Sequence, residues 1–61
     1  MNFYDLANAN TYELTIEGTT VDYGRRERRA WDAYFEAKRA KQTAELVITD
    51  KLGNVVRTVF C

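Results

Sequence analysis

The sequence predicts a two-layer α+β domain of order ββαββ, an antiparallel sheet with one amphipathic helix packed across one face. Three observations predict it. Residues Tyr12-Glu13-Leu14-Thr15-Ile16-Glu17 alternate apolar and polar, the period-two pattern of a half-buried strand. Residues 25–41 carry an apolar stripe at helical spacing. Residues 44–60 hold two strand-like runs around Asp50-Lys51-Leu52-Gly53. Asp first and Gly fourth is the signature of a type I turn with a left-handed bulge glycine.

The elements follow in chain order. Residues 1–10 show no period and read as a loose N-terminal segment, although Phe3, Tyr4 and Leu6 are able to fold back onto a core. Residues 12–17 form the first strand, with Tyr12, Leu14 and Ile16 inward. Gly18-Thr19 supplies a turn, and Thr20-Val21-Asp22-Tyr23 is a short second strand. A helix over about 25–41 follows, rich in the good helix formers Ala, Arg, Glu and Lys. Gly24 is its expected N-cap, with Glu27 reaching back. At 100° per residue, Ala30, Ala33, Tyr34, Ala37 and Ala40 fall on one side, flanked by Trp31 and Phe35. The alanines let the helix approach a sheet closely. The C-terminal hairpin covers about 44–60. The turn's register sets Ile48 opposite Val56 and Ala44 opposite Phe60, so Val56 and Phe60 point inward. Val47, Val55 and Val59 then share the other face with Arg57, and one residue of slip exchanges the second strand's faces.

Absences bound the function. The 61 residues contain no His, no Ser and no Pro, and one Cys, Cys61. Nucleophilic catalysis needs a nucleophile beside an activating base, and no imidazole exists here to activate a Thr or the thiol. One Cys does not make a structural zinc site. The acids are scattered without calcium-loop spacing, and the three glycines are too far apart for a phosphate-binding loop. The expectation is a non-catalytic chain with no metal and no cofactor. A single domain of this length buries only about 60% of its unfolded surface, so packing, self-association or a partner has to supply stability. No apolar run approaches the ~20 residues of a membrane span, and Met1 is followed by a polar stretch without a basic region. With one cysteine, these features point to the reducing cytoplasm.

Net charge is zero but segregated. Residues 1–24 hold four acids and no base, and residues 25–61 hold nine bases and five acids, leaving −4 and +4. The strongest local anomaly is Arg25-Arg26-Glu27-Arg28-Arg29 at the helix start. The helix dipole disfavours cations there by about 0.3–1 kcal/mol each. Arginine suits bidentate contacts with carboxylates and phosphates. The candidate partner-binding residues are therefore Arg25, Arg26, Arg28 and Arg29, with Tyr23 and Trp31 as neighbouring aromatics of the kind found at interface hot spots. A solvated helix start is the plainer account of the arginines, and core packing that of Trp31; Tyr34 reads as core. A candidate self-association face consists of Val47, Val55 and Val59 with Arg57, or of an unpaired edge strand.

Size, element order and the hairpin Val47-Ile48-Thr49-Asp50-Lys51-Leu52-Gly53-Asn54-Val55-Val56 make residues 12–60 resemble the small phage-encoded inhibitors of bacterial proteins. That group includes anti-CRISPR proteins and inhibitors of host polymerases. It shares habit rather than a diagnostic motif, so it lends no residue a role. The resemblance implies a protein partner, with a bacterial nucleoprotein complex among the candidates, and inhibition by blocking a surface. Two other readings stand beside it: a small nucleic-acid-binding module that uses the same arginines, and a structural homodimer.

Overall fold

The structure, a computed structural model, describes residues 10–61; the expectations for residues 1–9 lie outside them. The element order is β1 (Thr11–Ile16), β2 (Thr19–Gly24), α1 (Glu27–Arg39), β3 (Ala44–Thr49) and β4 (Val55–Phe60). All strands join one antiparallel sheet of order β2-β1-β3-β4, so the fold class is the predicted α+β.

The two most regularly alternating strands take the centre. β1 pairs with β3 as Tyr12↔Ile48, Leu14↔Leu46 and Ile16↔Ala44, which gathers the apolar positions of both on one face. On this face α1 buries Ala30, Tyr34 and Ala37. Leu14 and Leu46 are 1% and 0% exposed, each contributing about 1.5–3 kcal/mol by burial. Ala33 is half-buried and Ala40 exposed, because the helix ends before Ala40 returns to the sheet.

The helix ends differ from expectation. Its N-cap is Arg26, without a side-chain cap, not Gly24. Gly24 ends β2 with φ 60°, and its N–H donates to Asp22 Oδ1 at 2.8 Å. The chain must leave the sheet before it turns into the helix, which moves the start two residues on. At the other end, Gln42 N–H donates to the Ala37 carbonyl at 3.0 Å and Lys41 N–H to Lys38 at 3.1 Å. This is a Schellman closure, with Lys41 at φ 59° in the position that favours glycine.

The first hairpin turns at Glu17-Gly18, one residue earlier than predicted, with φ of 49° and 83°. Two positive values make a type I′ turn, whose twist matches the strands. Glu17 tolerates this conformation while clamping the loop ahead of β3. Its N–H donates to the Thr43 carbonyl at 3.0 Å, and its Oε2 accepts from Thr43 N at 3.0 Å and from the Thr43 hydroxyl.

The second hairpin turns as read: Gly53 N–H donates to the Asp50 carbonyl at 3.1 Å, and Gly53 has φ 88°. Asp50 Oδ1 accepts from Leu52 N and Asn54 N, each at 2.9 Å. The predicted register survives as far as Thr49↔Val55. A bulge at Val56 then shifts it, giving Ile48↔Arg57, Leu46↔Val59 and Glu45↔Phe60. The faces of β4 are thereby exchanged. Val59 joins the core margin, Arg57 lies over Trp31, and Phe60 is 73% exposed on the open face. The expectation that Val56 lies opposite Ile48 and that Phe60 points inward is corrected. So is the proposed face of Val47, Val55, Val59 and Arg57. Val47 and Val55 belong to the open side, and Val59 and Arg57 to the helix side.

Two predictions follow from the turns. Hydrogen bonds from Thr43 hold the Glu17 carboxyl below its usual range, and the Asn54 and Leu52 amides do the same for Asp50. A depressed folded-state pKa adds stability that is fully present above the unfolded value, about pH 4–4.5, and is lost as pH falls through the folded value. Urea midpoints should therefore drop on acidification below about pH 4.5, and the drop should be shallower in Glu17→Gln and Asp50→Asn. An identical pH profile in both variants would contradict the assignment. Separately, Lys41→Gly should raise stability by about 0.5–1 kcal/mol, because glycine enters the left-handed region without a Cβ clash; a lowered urea midpoint would refute this.

Candidate binding site at the helix start

The arginine cluster is positioned by the joint between β2 and α1. The Tyr23 carbonyl accepts from both Arg26 N at 3.1 Å and Arg26 Nε at 3.0 Å, so one arginine ties the helix start to the end of β2. Ala30 N–H then donates to the Arg26 carbonyl at 3.1 Å, the first bond of the helical ladder. Glu27 lies near the Tyr12 phenol. Burial, and then the nearby Glu27 carboxylate, push that phenol's pKa up.

Arg25, Arg26, Arg28 and Arg29 line one shallow groove of 660 Å³, together with Trp31 and the two acids Glu27 and Asp32. The groove thus combines four exposed guanidinium groups with a half-buried indole and two exposed carboxylates. Trp31 extends it into an aromatic group: its ring stacks on Phe35 at 5.7 Å and 25°, and meets Tyr34 edge-on at 5.9 Å. Tyr34 is core, whereas Phe35 is 45% exposed. Arg57 lies over the Trp31 ring, 5.8 Å from its centroid. This fifth arginine was missed in the sequence because the bulge at Val56 decides which face it takes. Tyr23 does not join the aromatic group. Its side chain packs against the core, and its contribution to the site is the carbonyl that holds Arg26.

The opposite side of the molecule has a different character. Glu13 pairs with Asp22, Thr15 with Thr20 and with Glu45, and Glu45 with Phe60, and the Thr15 and Thr20 hydroxyls are 2.8 Å apart. The acids of the first two strands thus face away from the helix layer that carries the arginines. Among the described residues, no group of His, Cys, Asp and Glu is arranged to hold a metal, and no helix is long and apolar enough to cross a membrane.

Trp31 is the only tryptophan, so its fluorescence reports this site alone. Arg57→Ala should change its emission and cost about 0.5–1 kcal/mol, the size of an exposed cation–π contact, while Arg57→Lys should recover part of both. An unchanged spectrum in Arg57→Ala would show that the guanidinium does not rest on the ring in solution.

Comparison with protein-family models, with curated proteins and with solved structures finds no match to this chain.

Proposed function

We propose that this chain is a non-catalytic protein-binding domain of the inhibitor or adaptor kind, which captures an acidic surface of its partner through the groove at the start of α1. One observation carries the reading. Four arginines crowd the positive end of a helix dipole, where each costs about 0.3–1 kcal/mol at an exposed site, and they line a groove beside a half-buried tryptophan. Among the described residues, the one side-chain hydrogen bond made by these four runs from Arg26 to the Tyr23 carbonyl. An arrangement that costs stability and presents planar, bidentate donors beside an aromatic anchor fits recognition of carboxylates at a hot spot.

The resemblance to small phage-encoded inhibitors, anti-CRISPR proteins among them, supports the same reading and directs it towards a bacterial protein or nucleoprotein complex in the cytoplasm. Such a domain acts by occupying a surface, which asks nothing of a catalytic set. The chain's lack of His and Ser is consistent with that mode of action.

The test is a tagged pull-down from bacterial lysate with and without nuclease, comparing the native chain with Arg25→Ala/Arg28→Ala/Arg29→Ala. Arg26 is kept because it joins the helix to β2. The triple variant should unfold at the same or a higher temperature, since alanine is the better helix former and the dipole repulsion is relieved. It should nevertheless lose a stoichiometric, nuclease-resistant partner. A folded triple variant that retains the partner ends the proposal. Recovery that vanishes with nuclease and falls steeply with salt assigns the arginines to phosphates instead.

A further inference from the structure

Strand β4 is a sheet edge whose outer side meets no other element among the described residues. It pairs only with β3, and α1 packs on β1, β2 and β3. The direction of its backbone groups follows from one hydrogen bond. Cys61 N–H donates to the Ala44 carbonyl at 3.1 Å, continuing the Glu45↔Phe60 register. In an antiparallel ladder, alternate residues turn both their N–H and C=O to the same neighbour. Arg57, Val59 and Cys61 therefore face β3, and Thr58 and Phe60 present their N–H and C=O groups outward.

Edges usually carry a device against pairing, such as Lys, Pro, an inward charge or a bulge. Val55–Phe60 has no Lys, no Pro and no acid. Its bulge at Val56 lies at the turn end and leaves residues 57–60 regular. The other edge, β2, is better guarded, with Asp22, the terminal Gly24 and a register shift against Tyr12/Glu13.

We infer that β4 is a self-association edge: two copies pair their β4 strands antiparallel about a two-fold axis at Val59, joining two four-stranded sheets into one. The strand is self-complementary in that arrangement. Thr58 of each copy faces Phe60 of the other, so the outward-facing backbone groups meet on both sides of the axis. Val59 meets Val59 on the helix side, where each already packs at the core margin, and the two cores become contiguous. Thr58 covers the exposed Phe60 ring on the open face. Arg57, the one charge in the strand, faces Cys61 of the second copy. The two arginines sit about 13 Å apart along the strands at ~3.3 Å per residue, beyond the screening length of about 10 Å at 0.1 M salt. An isologous contact of this kind closes at two copies, and it leaves both arginine grooves on the helix layer, with Arg57 of each joined strand over Trp31 of its own copy.

Sedimentation equilibrium between about 1 µM and 1 mM, spanning Kd values from tight to weak, with hydrogen exchange of single amides, tests it. The mass should double as concentration rises, and the Thr58 and Phe60 amides should gain protection in step. Thr58→Pro removes an N–H that turns away from β3 and makes no bond among the described residues, so it should keep the far-UV spectrum and stay monomeric. Phe60→Lys, at an exposed position, should do likewise if the proline perturbs the strand. Val59→Cys in a Cys61→Ala background should form a disulfide-linked dimer on mild oxidation. A monomer at every concentration overturns the inference. So do protection of Thr58 and Phe60 that does not depend on concentration, and dimerisation that survives both Thr58→Pro and Phe60→Lys.

Discussion

The pairing of Leu14 with Leu46 beneath the alanine stripe of α1 is the constraint on which the rest of the structure depends. With one helix among the described residues, the core is a single layer between that helix and the two central strands. A 13-residue helix spans about 20 Å at 1.5 Å per residue. It covers β1 and β3 and touches β2. β4 lies beyond it, which is why its helix-side residues sit at a margin and its outer side meets no other element among the described residues.

The same constraint explains where the arginines go. Ala30, Tyr34 and Ala37 must face the sheet, and that choice rotates the first turn so that its arginines line an outer groove. Glu27 turns towards the Tyr12 phenol, and Arg26 is held by the Tyr23 carbonyl. The helix therefore starts without a side-chain cap and with arginines on both sides of Glu27, the one acid of its first turn; the missing cap and the cations are departures from what a helix start prefers. Local preferences are set aside at this helix start, as they are at Lys41 and Glu17, which take left-handed conformations without being glycine. The other end closes in a Schellman motif, with Lys38 and Arg39 in the last turn where cations complement the dipole.

Charge segregation along the chain becomes segregation between layers. The acids of the first two strands lie on or near the sheet's open side and the bases cluster on the helix layer. Glu13 and Asp22 stand opposite one another, an arrangement that costs a few tenths of a kcal/mol and is tolerable only because the face is solvated. A chain that is neutral overall thus sets Glu13 and Asp22 on one side of the sheet and the arginines of the helix start on the other.

Local periodicity and turn chemistry determined much of the chain without help. Alternation marked β1 and β3, the alanine stripe marked α1, and Asp50 with Gly53 marked the second turn, because each of these depends on neighbours a few residues away. The arginine run was legible for the same reason. Tertiary structure alone decided the sheet order, the helix boundaries and the faces of β4. In Val55-Val56-Arg57-Thr58-Val59-Phe60 either face holds apolar residues, so the pattern does not choose a register. The bulge at Val56 chose it, setting Val59 against the core and giving the Arg57 guanidinium the Trp31 ring to lie on. The bulge and the packing of Val59 against the core fix which way the strand faces, and no rule of local alternation reaches that far.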